Sequence, residues 1–400
     1  MGILRPSVSE YSLTLSEEHR EIQKLAREFA ENEIAPIADK IDKEDKIPAE
    51  IVRKIGELGF LGVPYPAEFG GVGSDYLSMA IVIEELARIS CAVSVLPVAH
   101  TLAAMPIYIH GTEEQKKKYL IPLAKGEKLG AHAMTEAAAG SDVAGIKSVA
   151  RKEGNKYIIN GSKVFCTNGD VAETFVIFAR TNPPPKEKRQ LGISAFIVER
   201  GMKGFTVGKS IGKTGIHGSQ SVELIMEDLV VPEENLLGEE DKGFYLALDC
   251  YDHGRIEVAA QGVGVGQAAI EAAAKYTAQR IAFGQPLLEF QGPQFMLGEA
   301  SAEVSAARFL TYWAASLKDQ GKDFAAAASM AKMYATETGE RAALLAIKLG
   351  GSAGVATEYP MERFLRDIQV TKIYEGTNDI QRLTLGRMIY KEAKTILGLS

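Results

Sequence analysis

The stretch YIINGSKVF, residues 157–165, decides the architecture. Two β-prone runs flank Asn160-Gly161, a pair that tolerates positive φ, so the stretch predicts a hairpin with its turn at 160–161. TFVIFAR (174–180), GISAFIVE (192–199) and SVELIMEDLVV (221–231) predict further strands. NPPPKEKR (182–189) is a solvated loop, because its three prolines forbid both ladder and helix. Outward from this block the texture turns helical on both sides. Toward the N-terminus, Ile22, Leu25, Ala26, Phe29, Ala30 and Ile34 mark one helix face over 16–34. Further helices are predicted at 49–59, 76–90, 97–111 and 113–124. Toward the C-terminus, Phe244 to Ile281 holds no proline and makes a helix ~57 Å long. Stretches 290–320, 323–348 and 377–397 follow, and four long helices predict a bundle.

The predicted organisation is therefore α+β: a helical domain over 1–125, a small antiparallel β domain over 126–238 and a four-helix bundle over 239–400. No βαβ alternation exists, which disfavours a dinucleotide-binding sheet. GVGVG (262–266) lies inside a helical pattern, where small residues allow close helix packing. Four hundred residues support a large core without disulfide or metal staples. The net charge of −7 argues against general nucleic-acid binding. Cys91, Cys166 and Cys250 are far apart, so neither a disulfide framework nor a thiolate zinc site is expected. The six histidines are scattered and form no HxxxH pair, so no metal is expected. The first residues show no targeting pattern, and Pro6 stands where a myristoylation signal wants Ser or Thr. No run of 18 apolar residues is present, so no membrane insertion is expected. A cytoplasmic location is the expectation, or a mitochondrial matrix one if a transit peptide has been removed.

Among residues that carry chemistry, KIYEGTNDIQRL (372–383) stands out. It combines a glutamate, a glycine that permits close backbone approach, and a polar helix start with Asn378 as N-cap and Gln381 as its N3 partner. The company of this phrase identifies it. MTEAAAGSDVAG (134–145), NGSKVFCTNG (160–169), DHGRIEVAAQ (252–261), QRIAFGQPLLEFQ (279–291), LGGSAG (349–354) and YPMERFLRD (359–367) precede it in order. Together the seven phrases resemble the acyl-CoA dehydrogenase family over nearly the whole chain, most closely its short-chain, butyryl-CoA branch.

The resemblance implies an N-terminal helical domain, a middle β domain and a C-terminal four-helix bundle. It also implies FAD, an acyl-CoA substrate, electron-transfer flavoprotein as electron acceptor, a homotetramer built as a dimer of dimers, and a place in fatty acid β-oxidation. Glu375 matches the base that removes the α-proton, and Gly376 lets the backbone approach the thioester carbonyl. Some relatives carry the base at the position of Gly254, which cannot serve here. Glu257, three residues on, reads as a helix-surface or ion-paired residue. Asp252 and Arg255 match a CoA-contacting stretch, while their i,i+3 spacing equally fits a salt bridge.

The resemblance assigns cofactor contacts to His132, Met134, Thr135, Gly140 and Ser141, with Ser141 also reaching CoA. Ala137 departs from the family's usual proline. Phe165, Cys166 and Thr167 match the segment covering the flavin ring, and Phe165 stands where many members have Trp. Arg280, with Phe283 and Gln291, matches residues that reach the FAD pyrophosphate of a neighbouring subunit. Ile347, Gly350 and Gly351 match a further FAD stretch, with Ile347 replacing a frequent Gln. Thr377, Asn378 and Asp379 open the last helix, whose N-terminus favours a cofactor oxygen. Relatives that accept glutaryl-CoA place an arginine where Val93 stands. The alternatives are an enoyl-CoA reductase running the same chemistry backwards, and a catalytically silent assembly or binding paralogue.

Overall fold

The computed structural model describes residues 13–398; the expectations about targeting and myristoylation fall on residues 1–12, outside the described residues. The N-terminal part is helical. α1 (Glu17–Phe29) runs through a π-turn at Ala30–Ile34 toward α2 (Ala38–Glu44) and α3 (Ala49–Glu57). Its inner face is Ala26, Phe29, Ala30 and Ile34, while Leu25 is exposed, against the predicted stripe. α4 (Tyr76–Ile89) and α5 (Cys91–His110) follow, then α6 (Glu113–Gln115) and α7 (Ile121–Ala124), joined by a second π-turn. α5 starts six residues before the predicted 97, and both Pro97 and Pro106 lie inside it. By length and composition α5 is apolar enough to cross a membrane, yet almost all of it is buried within the protein, as the core helix of a folded domain is.

The middle block is an eight-stranded sheet. Its strands are β1 (Gly130–Ala133), β2 (Val149–Glu153), β3 (Lys156–Thr167), β4 (Thr174–Arg180), β5 (Ile193–Glu199), β6 (Phe205–Ser210), β7 (Ser221–Pro232) and β8 (Leu236–Leu237). The path β6-β7-β3-β2-β4-β5-β8 carries β1 paired to β4. β1 and β4 are parallel, so the sheet is mixed rather than wholly antiparallel.

The predicted hairpin turn at Asn160-Gly161 is not a turn. β3 runs straight through it, and the pair forms a bulge against β7, with the register shifting between Ile159 and Gly161. Gly161 spends its positive φ of 146° on that bulge. The Asn160 amide donates to Asp228 Oδ1 at 3.0 Å and its oxygen accepts from the Asp228 N–H at 2.9 Å. The actual turn lies at Gly154-Asn155, closed by the Glu153–Lys156 pair, where Gly154 has φ 63°.

Helix then returns as α8 (Gly243–Gln279), α9 (Gln291–Asp319), α10 (Ala325–Gly350), α11 (Met361–Thr371) and α12 (Asn378–Ile396). A two-stranded ribbon, β9 (Ile281–Ala282) with β10 (Gln285–Pro286), separates α8 from α9. α11 was not predicted as a helix. The GVGVG segment works as expected. A Cβ on Gly264 would meet the Glu84 carbonyl oxygen at 2.4 Å, and one on Gly262 the Ala335 backbone at 2.7 Å. α8 is thus pressed against α4 and α10, which brings its middle turns to the segment between α11 and α12.

Candidate active site

Glu375 lies in that connecting segment. Its φ is 55° and that of Gly376 is 84°, two left-handed residues in succession. A glutamate in this region is strained, and such strain persists only where the surroundings impose it. Gln381 donates to the carbonyls of Glu375 at 3.3 Å and Gly376 at 3.0 Å. Lys332, fully buried on α10, donates to the Gly376 carbonyl at 3.0 Å and to Asn378 Oδ1 at 2.8 Å. The N-cap of α12 is Thr377, whose hydroxyl accepts from Ile380 N–H at 3.3 Å. Asn378 is therefore not the cap, and Gln381 turns back to the strained segment instead of closing a capping box. The Glu375 N–H has no acceptor within the protein among the described residues.

The side chain points at α8. A Cβ on Gly254 would lie 3.0 Å from Glu375 Oε2 and 3.2 Å from Leu102 Cδ2 of α5. Glycine at 254 thus makes room for the carboxyl group it cannot itself supply. Glu375 Oε2 is buried without a hydrogen-bond partner. Burial pushes the Glu375 carboxyl up to about 7, with the Arg255 and Lys332 charges pulling it back. Such a carboxyl ionises near neutrality and suits general-base chemistry.

Asp252 and Arg255 form the predicted salt bridge on α8, and both are largely buried. Glu257 corrects the sequence expectation. It is fully buried, not at the surface and not ion-paired. Its Oε1 accepts from the Tyr76 hydroxyl at 2.6 Å and its Oε2 has no partner. Burial pushes its carboxyl well above the usual range, aided by Glu375, so it holds its proton. Further along α8, buried Gln261 donates to Ser94 Oγ at 2.9 Å and accepts from the Tyr374 hydroxyl at 2.5 Å. These bonds tie α5, α8 and the residue before Glu375 together.

The 134–141 loop sits at the end of β1. Sequence reading missed what holds it: Lys163, fully buried on β3, donates to the Met134 carbonyl at 3.1 Å and to Glu136 at 2.7 Å. Glu136 also accepts from the N–H groups of Lys147 at 2.6 Å and Ser148 at 3.0 Å. Burial pulls the Lys163 ammonium down to about 8, with Glu136 opposing. A lysine at an inward strand position was the available signal. Thr135 pairs its carbonyl with Val164 N–H at 2.9 Å. Gly140 is open, with nothing within 4 Å of a Cβ there. Ser141 is exposed beside it. His132 meets the Tyr251 hydroxyl of α8 at 3.0 Å, and burial pulls its imidazole down to about 4, so it is neutral.

At the end of β3 the register shifts again, between Lys163 and Cys166. Phe165 takes φ 56° and is 56% exposed, a flat apolar shelf beside the loop. Cys166 is buried and its thiol is pushed up by burial, so its backbone is what it can offer a ligand. Thr167 shares a hydrogen bond with Ser221 at 3.1 Å.

Arg280, Phe283 and Gln291 lie away from this site. Arg280 follows the end of α8, 25 residues past Arg255 and so roughly 38 Å away along the helix. It is exposed, as are Gln291 and the fully protruding Phe283, 96% exposed. Gly351 has φ 56° and open space around it, whereas Gly350 is packed under Met361 and Ile347 is half-buried. The Asn378 amide is engaged by Lys332, Thr336 and Glu337. Asp379 is exposed and paired with Arg382. The exposed Phe165 side chain and the open backbone at Gly140 fit a planar aromatic cofactor, and the exposed Arg280 guanidinium suits a phosphate at a separate place on the surface.

A carboxyl raised to about 7 with one buried, unpartnered oxygen suits removal of a proton from carbon. The chain belongs to the acyl-CoA dehydrogenase family, whose members are FAD-dependent oxidoreductases. It matches the family's "Acyl-CoA dehydrogenase, N-terminal domain" over residues 16–127, its "middle domain" over 131–229 and its "C-terminal domain" over 241–390. It is 45% identical to the short-chain specific acyl-CoA dehydrogenase of Clostridium acetobutylicum, over 94% of this chain and 99% of that one. It is similar to the structure of butyryl-CoA dehydrogenase from Megasphaera elsdenii, with TM-score 0.92 and 41% identity, covering 95% and 100% of the two chains. A chain in the structure titled for the electron transferring flavoprotein of Acidaminococcus fermentans gives TM-score 0.92 and 43% identity, covering 94% and 98%.

Proposed function

We propose that the protein dehydrogenates short-chain acyl-CoA thioesters to trans-2-enoyl-CoA, with Glu375 as the base. The observation that carries this reading is the buried, unpartnered Glu375 Oε2 set against Gly254, in a carboxyl raised to about 7. Ionised Glu375 takes the α-proton. FAD, which Phe165 and the 134–141 loop would hold, would supply the two-electron acceptor for the β-hydrogen. The free Glu375 N–H is available to hold the thioester oxygen as charge develops there. Phe165 and the loop from Met134 to Ser141 form the shelf for the flavin, with Lys163 and Glu136 holding that loop in place.

In this reading the substrate carries a short acyl chain. The short-chain and butyryl-CoA relatives support the same range. Electron-transfer flavoprotein as acceptor is supported by the similar chain in the structure titled for that protein. Anaerobic addition of butyryl-CoA to the purified yellow protein tests the reading. It should bleach the flavin and yield the trans-2-enoyl thioester; no bleaching by any acyl-CoA of four to eight carbons would overturn it.

A further inference from the structure

We propose that Lys332 is a positioning residue, whose ammonium fixes the strained Glu375–Gly376 turn through the Gly376 carbonyl and Asn378 Oδ1 and so aims the base. The proposal rests on Glu375 being that base. Lys332 is fully buried, a costly place for an ammonium unless something specific uses it. Its two contacts, 3.0 Å to Gly376 O and 2.8 Å to Asn378 Oδ1, fall on either side of Thr377. They clamp the C-terminal end of the turn to α10. Gln381 shares the Gly376 carbonyl from α12 and also holds the Glu375 carbonyl, but as a neutral donor. Lys332 therefore adds something Gln381 cannot, a positive charge beside the base.

The charged groups around the pair are Arg255 on α8 and Glu337 on α10, while Glu257, Tyr251, Tyr374 and Cys250 stay neutral because burial pushes them up. Burial pulls Lys332 down to about 7, with Glu375 pulling it back up, and burial pushes Glu375 up to about 7. The two groups thus exchange their charge states over the same pH range. A cation favours the ionised carboxyl, so its loss shifts ionisation of Glu375 to higher pH. A left-handed glutamate released from its clamp also relaxes away from its strained φ.

The test is the rate of flavin bleaching by butyryl-CoA in the holoenzyme, followed from acid to alkaline pH for Lys332→Met, Lys332→Gln and Lys332→Arg. Lys332→Met should retain FAD and nearly unchanged half-saturation by butyryl-CoA. Its limiting rate should fall at least ~10-fold, with the acid limb moved to higher pH. Lys332→Gln keeps a donor without charge: its limb should move equally and its rate fall less. Lys332→Arg should recover most of the rate and the original limb. A wild-type rate and limb in Lys332→Met overturns the proposal. So does an equal rate loss in all three variants with the limb in place, which marks a packing role alone. Loss of FAD by all three also overturns it, since the lysine would then serve the fold. In the same series Glu375→Gln separates the two ideas: if it bleaches normally, the base assignment fails whatever Lys332 does.

Discussion

Two carboxyl groups close enough to feel each other's charge, Glu375 and Glu257, have opposite duties, and burial with different partners sets them apart. Glu375 has one oxygen free and two cations nearby, which bring its ionisation to about 7. Glu257 has a phenol donor, no cation and a carboxylate neighbour, so it keeps its proton. The rate of flavin reduction should rise with pH through about 7, as Glu375 loses its proton. Glu257→Gln replaces an already neutral acid and should leave that limb in place, as read from the pH profile of bleaching by butyryl-CoA. A limb displaced to lower pH would mean that Glu257 is ionised beside the base. The phrase around Glu375 was legible in the sequence, because it belongs to a set of seven in fixed order. Glu257, Lys163 and Lys332 were not. Sequence spacing puts a charged residue on a helix or strand, but only packing decides whether that face meets water or core.

Long elements were legible and their ends were not. The unbroken run from Phe244 became the 37-residue α8, because no proline interrupts its backbone hydrogen bonds. Asn160-Gly161 carries the chemistry of a turn, yet the tertiary context uses its positive φ for a bulge and leaves the turn to Gly154-Asn155. α5 was read short because Pro97 resembles a helix start, whereas the helix tolerates it six residues inside. α5 also bears on the acyl tail. Between Cys91 and His110 it carries no lysine or arginine, Val93 is fully buried, and His100 is held neutral by burial, which pulls it down to about 4. A carboxylate on the distal end of the acyl chain against this face would be desolvated without a cation. Butyryl-CoA should therefore exceed glutaryl-CoA at least ~100-fold in kcat/KM, about 2.7 kcal/mol. Comparable values for the two would show a cation reaching the tail from elsewhere.

For the whole molecule, one chain does not bring all of the expected cofactor residues together. Arg280 stands at the far end of α8 from Arg255, next to the protruding Phe283 and Ile281. Exposed large apolar residues clustered beside a free arginine are what a surface completed by a second copy presents. We expect Arg280→Ala to lower FAD retention without lowering the unfolding temperature of the apoprotein, as read by the flavin-to-protein absorbance ratio beside a thermal melt. A flavin-loaded, fully active monomer on sizing chromatography would contradict a shared site. The central claim remains the assignment of the base, and stopped-flow bleaching of the holoenzyme by butyryl-CoA tests it most directly. Glu375→Gln keeps the size and hydrogen bonding of the side chain but removes its basicity. FAD and substrate should still bind while the rate of bleaching falls at least ~1,000-fold, about 4 kcal/mol; bleaching at a rate near that of the unaltered protein would contradict the account.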